Sequence, residues 1–288
     1  MDNLLLHPQS ERRITALLRQ PPHAIIISGP AGSGKTLLAR TIAAALLGIA
    51  PEKLEFYAYA REYQPEKGII SVEQARDMTG FLRLKTTGTN ALRRILLVEH
   101  ADTMTVEAQN TLLKTLEEPP ADTVIILTVD DIQAILQTVL SRAQRVDVQS
   151  PTELDAKEYF LQKGYSDSKV AQAYALSGGL PGLMQALLDG DETHPLVASV
   201  EQAKQLLGVS SFERLAQVDT LIKQKQHQAV VWAIMRIASA AIAGAAAKGS
   251  DTAIARWSAI LAAAARANEQ LRASAQAKLV MTNLFLAL

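Results

Sequence analysis

One run of residues could do chemistry as a unit: Gly29, Pro30, Ala31, Gly32, Ser33, Gly34, Lys35 and Thr36. Their spacing is G-x-x-x-x-G-K-[ST], the pattern of a phosphate-binding loop. Glycines allow positive φ and bring backbone N–H groups close to phosphate oxygens. A helix leaving the loop adds unpaired N–H groups and the positive end of its dipole. Lys35 is then expected to reach the β- and γ-phosphates of a nucleotide, and the Thr36 hydroxyl to hold Mg²⁺.

The flanks must position that loop. Residues 24–28 (AIIIS) are apolar and β-rich, a buried strand; residues 36–47 are rich in Leu and Ala, a helix. Residues 94–98 (RILLV) read as a second buried strand, ending just before Glu99 and His100. Histidine can take up a proton near neutral pH. Residues 123–127 read as a further strand and 145–148 as a last short one. Strands separated by helices imply a parallel α/β sheet with ligands at the strand C-terminal ends.

Between these lie helix signals. Residues 14–18 suggest a short helix ended by Pro21 and Pro22. Residues 54–59 form a β-rich run. Ser71 and Gln74 fit a capping box for a helix to about residue 84. Thr105 fits the N-cap of a helix with Val106, Leu112, Leu113 and Leu116 as its apolar positions, stopped by Pro119 and Pro120. Ser150 and Glu153 suggest another capping box, with Pro151 at the first helical position. Everything after is helical by pattern, broken at residues 177–182 and at Gly190. The alanine-rich later helices suit a bundle or an oligomer contact; high helix propensity explains them equally well.

With 288 residues, two or three domains are expected. Hydrophobic residues are 48% and charged residues 20%, which fills cores and excludes a disordered chain. The formal net charge of zero argues against a large basic face gripping nucleic acid alone. The chain has no cysteine, hence no disulfide framework and no cysteine zinc site. Residues 1–4 lack a secretory signature. Residues 229–247 are apolar, but Arg236 near their middle is costly in lipid, so a packed helix is expected. A cytoplasmic protein is expected.

Residues 94–102 (RILLVEHAD) with 105–120 (TVEAQNTLLKTLEEPP) resemble the Walker B region of bacterial DNA polymerase III clamp-loader subunits. Residues 7–9, 22–24, 68–74, 140–144 (LSRAQ, like the Ser-Arg-Cys motif) and 277–288 also resemble that family, above all its delta-prime type. The resemblance implies a P-loop AAA+ core over residues 1–150, a helical lid over 151–192 and an all-helical collar over 193–288. It implies ATP and Mg²⁺ at a subunit interface of a hetero-oligomeric ring. That ring acts on a sliding clamp and primed DNA. Carried over, Arg142 is a finger acting in trans on a neighbour's γ-phosphate, where charge stabilisation dominates. An ordinary surface arginine is the alternative. Thr128 falls near the sensor position.

The sequence also departs from the family. Its active members carry Asp-Glu where this chain has Glu99 and His100. Glu99 can still serve Mg²⁺, but His100 replaces the acid that activates water, and misplacing a group by about 1 Å is already costly. Alternatively, His100 merely fills space. Leu183 stands where the lid pattern Gly-x-Pro-Gly-Arg has its arginine, and the cysteine zinc module is missing. Nucleotide binding with weak or absent hydrolysis is the expectation. A gamma/tau-type ATPase and a purely structural subunit stay open beside it.

Overall fold

The computed structural model describes residues 4–273 and 275–288. Met1, Asp2 and Asn3, on which the reading of the N-terminal start partly rests, lie outside the described residues. The chain divides into two compact units, Met1–Pro151 and Thr152–Leu288.

In the first unit, α1 (Pro8–Arg19) precedes β1 (Ala24–Ser28) and α2 (Lys35–Leu47). Then come β2 (Ala60–Tyr63), α3 (Val72–Leu82), β3 (Arg94–Val98) and α4 (Val106–Glu117). The unit ends with β4 (Thr123–Val129), α5 (Gln137–Leu140) and β5 (Gln144–Asp147). All strands are parallel, in the order β2-β3-β4-β1-β5. The inner strands read as unbroken apolar runs because both sheet faces are covered. Alternation then splits them. Ile26, Leu96, Val98, Ile125 and Leu127 join a core with α3 and α4. Ile25, Ile27, Ile95, Leu97 and Ile126 join the opposite core with α1 and α2.

The expected strands over 94–98 and 123–127 are present, the latter running on to Val129. The expected capping box is also formed: Ser71 accepts from the Gln74 N–H and the Gln74 side chain accepts from the Ser71 N–H. Thr105 caps α4 through the Ala108 N–H. Other expectations need correction. The short helix at 14–18 begins at Pro8, where proline occupies the first turn and His7 caps Gln9. The β-rich run 54–59 is turn structure after a 3₁₀ turn at Pro51–Lys53; the edge strand is β2, registered on β3 through Ala60–Ile95. Val106 is 55% exposed rather than inward. The box entering the next helix is Thr152 with Asp155, not Ser150 with Glu153, so Pro151 precedes the cap.

The second unit is helical throughout. It holds α6 (Glu153–Gln162), α7 (Asp167–Ser177), α8 (Pro181–Asp189), α9 (Pro195–Gly208), α10 (Ser211–Ala216) and α11 (Val218–Lys223). It ends with α12 (His227–Ala247), α13 (Asp251–Arg272) and α14 (Ala277–Ala287). By length and composition alone α12 could cross a membrane. Here it packs on α13, α9 and α7, burying Val230, Val231, Ile234 and Ala238. Its Arg236 donates to the carbonyls of Ala175 and Leu176 at the end of α7, satisfying groups that a helix C-terminus leaves open.

Candidate functional site

The strand order sets the site. β4 lies between β3 and β1, so the segments leaving the C-terminal ends of all three are neighbours. The Gly29 N–H continues the ladder onto the Val129 carbonyl at 3.2 Å. The Glu99 N–H bonds the Tyr63 carbonyl at 2.8 Å. The His100 N–H bonds Thr128 Oγ1 at 3.0 Å. The loop 29–36, the pair Glu99–His100 and the end of β4 are thereby fixed to one another.

Within the loop, Gly32 and Gly34 take φ of 81° and 82°, a region that favours glycine. Gly34 caps α2 without any side-chain bond, which leaves the first N–H groups of that helix open to a ligand. Gly29 lies against Val148 so closely that a Cβ would meet it at 3.2 Å.

Lys35 is 6% exposed. Its Nζ donates to the Pro30 carbonyl at 2.8 Å and to Ser33 Oγ at 3.4 Å. It also stands 2.5 Å from Asp130 Oδ1. That contact is ionic and off the hydrogen-bond line, since the buried Oδ1 has no hydrogen-bond partner. The Thr36 hydroxyl donates to Glu99 Oε2 at 3.2 Å. Glu99 is buried and also accepts from Gln64 Nε2 at 3.3 Å, with Arg40 at 3.6 Å.

His100 holds the left-handed conformation, φ 49°, unusual for a residue with a Cβ. Its half-exposed ring places Nδ1 3.3 Å from Asp130 Oδ2. The hydrogen bond to Asp130 raises the imidazole pKa, against the opposing effect of burial. For Asp130 burial pushes the carboxyl up, but the His100 hydrogen bond and the Lys35 charge outweigh it and hold the pKa below the ordinary carboxylate range.

The structure thus brings Lys35, Thr36, Glu99, His100 and Thr128 to one place. Arg142 is elsewhere. It follows α5, donates to Glu117 Oε1 at 2.7 Å and to the Thr138 carbonyl at 2.8 Å, and its side chain is 34% exposed. Leu183 is fully buried in a small core with Leu180, Ala186 and Val197 in the second unit, a setting for a leucine and not for a charged group. Sequence reading missed Asp130, Gln64 and Arg40. For Asp130 a signal existed: it comes directly after a strand that the α/β pattern places in the sheet.

The residues fit a magnesium-bound nucleotide. The loop supplies open N–H groups and a buried ammonium, and Thr36 with Glu99 supplies paired hard oxygens of the type Mg²⁺ prefers. Among the described residues no cluster of three or more His, Asp or Glu forms a metal site by itself, so phosphate oxygens would complete the coordination.

Comparison with known proteins agrees with this geometry. The family model described as "DNA polymerase III, delta subunit" matches residues 14–152. The chain is 32% identical over 207 residues to DNA polymerase III subunit delta' of Pseudomonas aeruginosa, covering 65% of this chain and 62% of the relative. With the Escherichia coli subunit of the same name it is 30% identical over 186 residues, covering 59% and 55%. The matches therefore span less than two thirds of these relatives' length. A solved structure, a DNA polymerase III gamma subunit-related protein of Thermotoga maritima, shares the fold. It has a TM-score of 0.53 and 19% identity, over 96% of this chain and 97% of that one. Sheet, loop and sequence converge: over residues 14–152 the chain is similar to the DNA polymerase III delta-subunit family.

Proposed function

We propose that this chain is a delta-prime-type subunit of a DNA polymerase III clamp loader, which helps place a sliding clamp on primed DNA. Its partners are then other subunits of a hetero-oligomeric ring, the clamp, and DNA reached through the assembly. Its location is the cytoplasm. Residues 151–192 act as the lid, and 193–288 as the collar that joins neighbours.

The first unit binds ATP with Mg²⁺. The open N–H groups at the start of α2 and Lys35 hold phosphate, while Thr36 and Glu99 hold the ion. Bound Mg²⁺ would neutralise phosphate charge. Hydrolysis by this chain is weak or absent, because His100 stands where the family has its water-activating acid and is tied to Asp130. Thr128 accepts from the His100 N–H, which supports its reading as the sensor residue beside the site. Arg142 is partly exposed and bonds Glu117 and not the loop, which supports a role toward a neighbour's nucleotide. The single observation that carries the reading is this division: a complete phosphate loop beside a changed acid pair, with the finger candidate bonded to neither but to Thr138, Ser141 and Glu117.

A gamma/tau-type ATPase is the second reading, favoured by the intact loop of residues 29–36 and opposed by His100 and Leu183. Reconstitution tests both. The chain should co-purify in a ring with gamma-type subunits and be required for clamp loading, while the isolated chain turns over little ATP. Rapid hydrolysis by the isolated chain would favour the second reading, and failure to enter a ring would overturn both.

A further inference from the structure

Asp130 belongs to no motif that the family resemblance assigned, yet it makes the closest charged contact in the candidate site. A buried ammonium without a counter-ion is very costly. Asp130 supplies that counter-ion for Lys35 at 2.5 Å. Its position is built. The Asp130 and Asp131 N–H groups both donate to the Asp102 carboxylate, at 3.2 and 3.3 Å. That pins the backbone just after β4. The second carboxylate oxygen is engaged by His100 Nδ1 at 3.3 Å.

The consequence concerns the donors. An ammonium has three N–H groups. Two of those on Lys35 serve Pro30 and Ser33, and the ammonium's remaining charge faces Asp130. A phosphate oxygen that approaches Lys35 meets a carboxylate already in its place, and a second anion, Glu99, beside Thr36.

We propose that Asp130 is an affinity-determining residue, an internal competitor that occupies the phosphate lysine and must be displaced when nucleotide binds. The inference rests on the reading of residues 29–36 as a nucleotide site. It makes nucleotide affinity an exchange of one anion for another, so the chain binds more weakly than its complete loop alone would allow. Asn at this position keeps the shape and removes the charge.

The test is calorimetric titration of wild type and Asp130→Asn with ATP–Mg²⁺. The substitution should tighten binding about 10-fold, the scale of one charge-assisted contact. A gain under threefold, or weaker binding, overturns the proposal, the latter by showing that Asp130 helps hold the ligand. A second measurement needs no nucleotide. In a cycle of Lys35→Met, Asp130→Asn and the double variant, the unfolding equilibrium constants should show a coupling of about fivefold or more. Coupling under twofold, with wild-type nucleotide binding intact, overturns only the role of Asp130. Absence of ATP–Mg²⁺ binding in both wild type and Asp130→Asn overturns the nucleotide site itself, and this role with it.

Discussion

Replacing Arg142 by alanine separates a finger from a surface arginine. In this structure the guanidinium is held by Glu117 Oε1 at 2.7 Å and by the Thr138 carbonyl at 2.8 Å. The two charged side chains are 34% and 48% exposed, so solvent screens the pair and its contribution to folding is about 0.2–1 kcal/mol. By stability alone, Arg142→Ala would change the folding equilibrium by no more than about fivefold. A finger in trans contributes far more, up to about 10³-fold in the partner's turnover. The assay is ATP hydrolysis by the reconstituted ring, with circular dichroism and light scattering confirming folding and assembly. Nucleotide affinity of this chain's own loop should stay unchanged, because Arg142 makes none of its contacts there. Lysine should rescue poorly, since a point charge does not reproduce the planar fork. Glu117→Gln loosens the pair and keeps the arginine, and should alter turnover by less than about fivefold. An assembled Arg142→Ala ring that hydrolyses ATP and loads clamps at the wild-type rate refutes the reasoning.

Three further outcomes are expected. Lys35→Ala should weaken ATP binding by about 1.5–3 kcal/mol, the loss of a charge-assisted phosphate contact, measured by calorimetry; equal affinities would contradict the phosphate role. Single-turnover hydrolysis by the isolated chain should stay below about 1 s⁻¹, and His100→Glu should raise it only if Glu99 already serves Mg²⁺ well; a faster wild type would contradict the acid-pair argument. Burial pushes the Asp122 carboxyl up, but hydrogen bonds from Thr86 and Thr123 and the charge of Arg94 outweigh it and hold its pKa below the ordinary range. A lowered folded-state pKa contributes stability above the unfolded value of about 3.9 that is lost as pH falls through the folded value. Asp122→Asn should therefore flatten the acid limb of the denaturation curve below about pH 4, and an unchanged limb would contradict the sign.

What was legible in the sequence was whatever is decided locally or by burial on both faces. The runs at 24–28 and 94–98 are unbroken and apolar because helices cover both sides of β1 and β3. The Ser71 and Thr105 caps are written within four residues. β2 was displaced in the reading because an edge strand, Ala-Arg-Glu-Tyr, has no apolar signature of its own and is defined by its pairing with β3. The start of α1 was missed because its first turn carries Pro8, Gln9 and Ser10, with Ile14 and Leu17 the buried apolar positions. Candidate residues fixed by a motif, Lys35, Thr36, Glu99 and His100, were legible, and the structure brings them together. Asp130, Gln64 and Arg40 were not, because their roles depend on which strand lies beside which.

The hydrogen-bond ladder from β3 through β4 to β1 has a consequence for how such a chain can change over generations. Ladder register shifts only in whole residues, and a shift of one would turn every inward side chain outward. The spacing between the loop 29–36 and the carboxylate at 99 is therefore inherited with the core, not with the side chains that do chemistry. Drift at positions 99, 100 and 130 can abolish or retune reactivity while the frame stays in place. A lineage of this fold can thus keep a seat in an assembly as a geometric copy of its active relatives long after its own reactivity has gone.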